Sequence, residues 1–162
     1  MIVVSDTSPV LSLARIGRLD LLRTLYQQVL IPSAVYEELR DAASRSHGSI
    51  DFDSFEWLVV GVASDRRRVE ELCADLDPGE AEAIVLAIER RADVLLIDER
   101  RGRRTASSAG LTVTGLIGVV AQAKRTGVIE KAKPILDELI RTGRFWVGPR
   151  LYAEVLAQLG EG

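Results

Sequence analysis

The chain has 162 residues, enough for one compact domain with a real core, and its 47% hydrophobic and 28% charged residues are ordinary for a soluble globular protein. A formal net charge of −3 gives no global basic field, so a nucleic-acid substrate would need local arginines or metal ions to supply positive charge. One cysteine excludes an intrachain disulfide, and one histidine with one cysteine argues against a zinc centre or a histidine-based nucleophilic mechanism.

Chemistry therefore falls to carboxylates. No charged start followed by a long apolar run reads as a secretory signal, and the window from Leu111 to Ala123 is too short and too interrupted to span a bilayer. A cytoplasmic, reducing location and no membrane association are expected.

The opening stretch Ile2-Val3-Val4-Ser5-Asp6 is a short aliphatic run stopped by an acid, the pattern of a buried parallel strand. Ser8-Pro9 then reads as an N-cap with proline at the first helical position, leading a helix to Ile16. Asp6 should thus stand at the carboxyl end of a central strand, where open α/β sheets bind ligands. Asp6 as a mere turn residue is the alternative.

Leu19 to Tyr26 follows as a second helix, Val29-Leu30-Ile31-Pro32 as a strand, and Ala34 to about Ala43 as a helix capped by Ser33. Val35, Leu39 and Ala42 form its inward stripe; Glu38 falls inside that stripe, while Glu37 points about 100° away. An acid on a buried face needs a cation or a metal, which singles out Glu38 over a carboxylate merely paired with arginine.

Ser44 to Ser49, which includes His47, reads as a loop, and Trp57-Leu58-Val59-Val60 as a short strand outside the central order. A helical segment runs from the Arg66-Arg67-Arg68 triplet to Ala74, with Cys73 expected as a small core residue. Asp77-Pro78-Gly79-Glu80 opens the clearest helix, with Asp77 as N-cap and Glu80 closing a capping box. Glu80 also shares a stripe with Ile84, Ala87 and Ile88, whereas Glu82 shares its face with Leu86 and Glu89.

Val94-Leu95-Leu96-Ile97-Asp98 repeats the opening pattern, so parallel neighbours would bring Asp6 and Asp98 to one sheet edge; Asp98 as the next N-cap is the alternative. A basic helix to Ser108, a strand from Leu111 to Thr114, and helices from Leu116 to Thr126, Lys133 to Arg141 and Pro149 to Leu159 complete the chain, with Phe145-Trp146-Val147 read as an edge strand.

Four segments in this order resemble a PIN domain, the nuclease fold of many prokaryotic toxin–antitoxin ribonucleases. They are Val4-Ser5-Asp6-Thr7-Ser8, Ile31 to Leu39, Gly79-Glu80-Ala81-Glu82-Ala83-Ile84 and Leu95 to Arg100. Further likeness to a PIN-like bacterial and archaeal branch runs through Gly115 to Val120 and Ala123-Lys124.

The resemblance implies a three-layer α/β/α sandwich with a central parallel sheet. Residues 1–162 are expected to form a single domain with a helical extension from about 128. It places the family's acids on Asp6, Glu38 and Asp98, and its remaining acid on Glu80, with Glu82 as neighbouring contender. Asp6, Asp98 and Glu80 would be the ligands of Mg²⁺ or Mn²⁺, hard cations that take oxygen donors and several waters. Ser8, Arg100 and Arg104 are expected on the substrate side, and Arg100, Arg101, Arg103 and Arg104 should include phosphate contacts.

The implied activity is metal-dependent RNA hydrolysis by a toxin held by a small antitoxin protein, with a homodimer expected. A catalytically weak RNA-binding or antitoxin-bound module is the alternative. A phosphotransferase with an aspartyl nucleophile would carry a second aspartate where Ser8 stands, and a dinucleotide-binding enzyme would need a glycine-rich turn after the first strand.

Overall fold

The computed structural model describes residues 1–45 and 50–162. Among these, strands β1 (Val3–Ser5), β2 (Val29–Pro32), β3 (Leu58–Gly61), β4 (Val94–Leu96) and β5 (Val113–Thr114) form one parallel sheet in the order β3-β2-β1-β4-β5. Parallel pairing requires crossovers, and helices provide them. Helices α1 (Thr7–Arg15) and α2 (Asp20–Tyr26) join β1 to β2, and α3 (Ser33–Arg45) follows β2. Helices α4 (Arg66–Leu72) and α5 (Pro78–Glu89) lead from β3 to β4, and α6 (Arg100–Ser108) leads to β5. Helices α7 (Leu116–Arg125), α8 (Lys133–Arg141) and α9 (Pro149–Gln158) follow.

Successive strand residues point to opposite faces, which explains the continuous aliphatic runs. Val3 and Leu96 join one apolar cluster with Leu13, Leu22, Leu116 and Leu136; Val4, Leu95 and Ile97 join another with Val69, Ile84, Leu86 and Ala106. The result is an α/β/α sandwich around a parallel sheet. The chain crosses from one side of β1 to the other between β3 and β4, so β1 and β4 are neighbours flanking the point where strand order reverses. That point is where such sheets open a crevice.

The chain end is clamped to the fold. The Glu161 carboxylate accepts hydrogen bonds from Lys124 Nζ (2.7 Å) and from the backbone N–H groups of Ala132 (2.8 Å) and Lys133 (3.0 Å). No described helix is long and apolar enough to cross a membrane.

Several local expectations are corrected. Leu58–Gly61 is an edge strand of the central sheet, paired residue by residue with β2, and Val60 and Val62 are exposed there. Phe145-Trp146-Val147 forms no strand: the Phe145 N–H donates to Leu139 O at the end of α8, and Arg144 before it takes the left-handed conformation (φ 56°). Helix α1 begins at Thr7, with Asp6 rather than Ser8 in the cap position and Pro9 in the first turn. Cys73 is exposed at the end of α4, not in the core. Ser44 and Arg45 extend α3, and the rest of the expected loop, His47 included, lies outside the described residues.

Candidate active site

Four elements deliver acids to the carboxyl edge of the sheet. Asp6 follows β1, and its N–H donates to Leu96 O of β4 (2.9 Å). Asp98 lies two residues beyond β4, Glu38 in the second turn of α3 behind β2, and Glu80 in the first turn of α5. Asp6 and Glu80 are buried, at 4% and 7% exposure, and Glu38 and Asp98 are half-buried.

Burial above all pushes the Asp6 carboxyl up to about 7. A hydrogen bond from the Thr7 backbone opposes that rise, and the charges of Asp77, Glu38 and Asp98 add to it. Glu80 is raised by burial first and then by Asp77 and Asp6. Glu38 and Asp98 are raised too, chiefly by burial. Asp6 is the common point: the charges of Glu38 and Asp98 act on it, and its own charge acts on Glu80.

Each carboxylate is held individually. Thr7 Oγ1 donates to Glu38 Oε2. Asp98 Oδ1 accepts from the Leu116 N–H at the start of α7 (2.7 Å), and the Arg103 guanidinium stands nearby as its counter-charge. Glu80 closes the capping box with Asp77, whose Oδ1 accepts from the Glu80 N–H at 2.8 Å. One side chain thus caps its helix and lies within reach of the Asp6 charge. The alternatives for Asp98 and Glu38 are not realised, because Glu99 holds the cap position of α6 and Thr7, not an arginine, meets Glu38.

Glycines allow this crowding. A Cβ on Gly79 would sit 2.6 Å from Glu38 Oε2, and one on Gly102 would sit 2.6 Å from Glu80 Oε2 and 2.7 Å from Ile97 Cδ1. One on Gly115 would meet Asp98 Oδ1 at 2.9 Å and collide with Arg103.

Glu82 has other partners. It is buried, its Oε1 accepts from the Ala34 N–H at the start of α3 (3.0 Å), and its Oε2 pairs with Arg66 (3.1 Å). It fastens α5 to α3, with its charge satisfied by that work. Among the arginines, Arg100 lines the grooves on both sides of Asp98, and Arg104 rims the one above Glu80. Arg101 is tied to Asp75 O (3.2 Å), and Arg103 is turned inward toward Asp98 and Ile97 O. Ser8 lines the groove that runs from α1 to Asp98.

Thr7, Asp77 and the three glycines escaped the sequence reading. Thr7 and Asp77 flank recognised acids and were legible only as turn and cap residues. A glycine against a carboxylate leaves no periodic signal.

The donors suit a hard cation. All are carboxylate oxygens, and Asp98 Oδ2 is a buried acceptor with no hydrogen-bond partner among the described residues. A buried carboxylate oxygen left without a donor is costly, and a cation removes the cost. Among the described residues no three acidic, histidine or cysteine side chains converge tightly enough to enclose an ion by themselves. Asp6 and Asp98, on adjacent strands, and Glu80, whose carboxyl is affected by the Asp6 charge, could hold a cation.

The family profile of the PIN domain matches residues 2–161. The chain belongs to the PIN-domain family, whose members are generally nucleases and commonly use divalent metals. No curated protein and no solved structure matches it.

Proposed function

We propose that the protein is a Mg²⁺- or Mn²⁺-dependent endoribonuclease acting on single-stranded RNA, and the toxin of a toxin–antitoxin pair. The observation that carries the reading is the unpartnered Asp98 Oδ2 in a cleft where Asp6, Glu38 and Glu80 are all raised, chiefly by burial and further by neighbouring carboxylates. Such a cleft repels a phosphodiester until a cation offsets its charge.

Asp6 and Asp98 would hold the ion, and Glu80 would assist them. Bound there, Mg²⁺ or Mn²⁺ supplies an activated water and neutralises charge on the phosphodiester in transit. Glu38, steadied by Thr7, takes the proton of the attacking water. Arg100 and Arg104 receive the backbone phosphates, Ser8 borders their path, and Arg103 opposes the rise that burial imposes on Asp98. The helices from about residue 128 extend the same domain. The cytoplasm is the proposed compartment, a homodimer the proposed assembly, and a small antitoxin protein the inhibitor in the cell.

The end groups of the cleaved RNA test the reading. Attack by water leaves a phosphate monoester and a hydroxyl at the cut, whereas attack by the ribose 2′-hydroxyl leaves a cyclic phosphate. Mass spectrometry of the products should show monoester ends only. Cyclic phosphate as the first product would overturn the mechanism. Co-purification with the protein encoded beside it, with loss of cleavage in the complex, tests the toxin assignment.

A further inference from the structure

Trp146 is the most exposed large hydrophobic side chain among the described residues, at 82%. The chain spends conformational energy to present it. Arg144 adopts a left-handed φ of 56°, unusual and strained for a residue with a side chain. Phe145 then turns inward against the core, and Trp146 turns outward with its ring tip near Gly148.

Two grooves meet at this ridge, of about 630 and 380 Å³, and both are lined by Asp98, Arg100, Phe145 and Trp146. The second also receives Arg15 and Arg144. Neither of these arginines has an acidic partner among the described residues, and each is close enough to repel the other. Two unpaired like charges beside a solvent-facing indole, leading to an acidic cleft, call for a polyanion that also carries flat apolar faces.

We infer that Trp146 is a base-stacking platform and that Arg15 and Arg144 grip the adjoining phosphates of single-stranded RNA entering the Asp98 cleft. Unstacked bases lie readily on aromatic side chains, and guanidinium groups track the backbone between them. A duplex, with its bases already stacked, has no face to offer. The platform would therefore select single strands before chemistry begins. The inference rests on the ribonuclease reading and names the subsite that orients its substrate.

The test uses the intrinsic fluorophore. The chain has two tryptophans, so Trp57→Phe leaves Trp146 as the sole indole. Titration of this variant in Ca²⁺, a hard cation that takes the same oxygen donors, with a ten-nucleotide 2′-O-methyl RNA should quench its emission saturably, and the same RNA annealed to its complement should not. In cleavage assays with Mn²⁺, Trp146→Ala should raise KM about tenfold at little change in kcat, and Trp146→Phe should restore most of the loss. Arg15→Ala with Arg144→Ala should flatten the salt dependence of KM by about 0.7 logarithmic units per phosphate contact removed. Unchanged emission and an unchanged KM, in a protein that still cleaves RNA, would overturn the platform and leave the nuclease standing. Saturable quenching in a protein that cleaves no RNA would uphold the platform and remove the nuclease. Emission that shifts on dilution of the RNA-free protein, together with a dimer by sedimentation, would assign the indole to a second copy of the chain and overturn the inference.

Discussion

Glu37 and Glu38 are adjacent and chemically identical, yet α3 turns them to different surroundings. Glu37 is exposed, while Glu38 is half-buried and bonded to Thr7. Glu38→Gln keeps the shape and removes the proton acceptor, so RNA cleavage should fall about a hundredfold or more. Glu37→Gln should leave the rate within about twofold, as surface changes usually do. Rate measurements on the two variants separate a positioned base from a general acidic patch, and equal losses would contradict the assignment of Glu38.

Packing of α5 decides which of its acids reach the cleft. Helical phase read from sequence separates Glu80 from Glu82, but it assumes one buried face, and α5 is buried at every position from Gly79 to Ala87. Glu82 is thus inside as well, facing α3 instead of solvent. The strands ending in Asp6 and Asp98 were legible because each aliphatic run is buried on both faces. β3 was misplaced because an edge strand has one paired side, and its composition does not name the partner. Phe145-Trp146-Val147 has strand-forming residues but no neighbour to pair with, so tertiary context overrides its propensity.

The glycine contacts lay beyond reach of sequence, since they depend on which carboxylate α5 and α6 bring alongside. Their consequence is testable. In an ordinary helix Gly102→Ala would add about 1 kcal/mol of stability. Here the new methyl group meets Glu80 and Ile97, so Gly102→Ala should instead destabilise by about 1–3 kcal/mol. Thermal melts check the sign, and a stabilised variant would mean that Glu80 is free to move aside.

At the scale of the whole molecule, two groups give pH dependences of opposite sign. Glu161, held down to about 2 by Lys124 and the α8 backbone, contributes stability above its unfolded range that is lost as pH falls toward 2. Asp6 is raised from 3.8 to about 7, so the folded protein holds its proton more tightly than the unfolded chain does. Its contribution is greatest in acid and is lost as pH rises through 7. In chelator, the melting temperature should therefore fall between pH 5 and pH 8, and Asp6→Asn should flatten that fall. Mn²⁺ at pH 8 should restore what is lost, by binding the folded state alone. A melting temperature indifferent to Mn²⁺ would mean that the acids are not a cation site.

Asp6→Asn is also the most direct probe of the central claim, because it preserves shape in the best-buried acid of the cleft while removing one charge. Cleavage of a single-stranded RNA by the wild type and by this variant should be measured at saturating Mn²⁺ and in chelator, beside circular dichroism of both. The wild type should cleave only with Mn²⁺. The variant should keep its fold and lose at least about a thousandfold in rate, as expected when a group that holds the ion and its activated water is disabled. Cleavage by the folded variant at the wild-type rate, or by either protein in chelator, would contradict a carboxylate-held metal as the source of the activity.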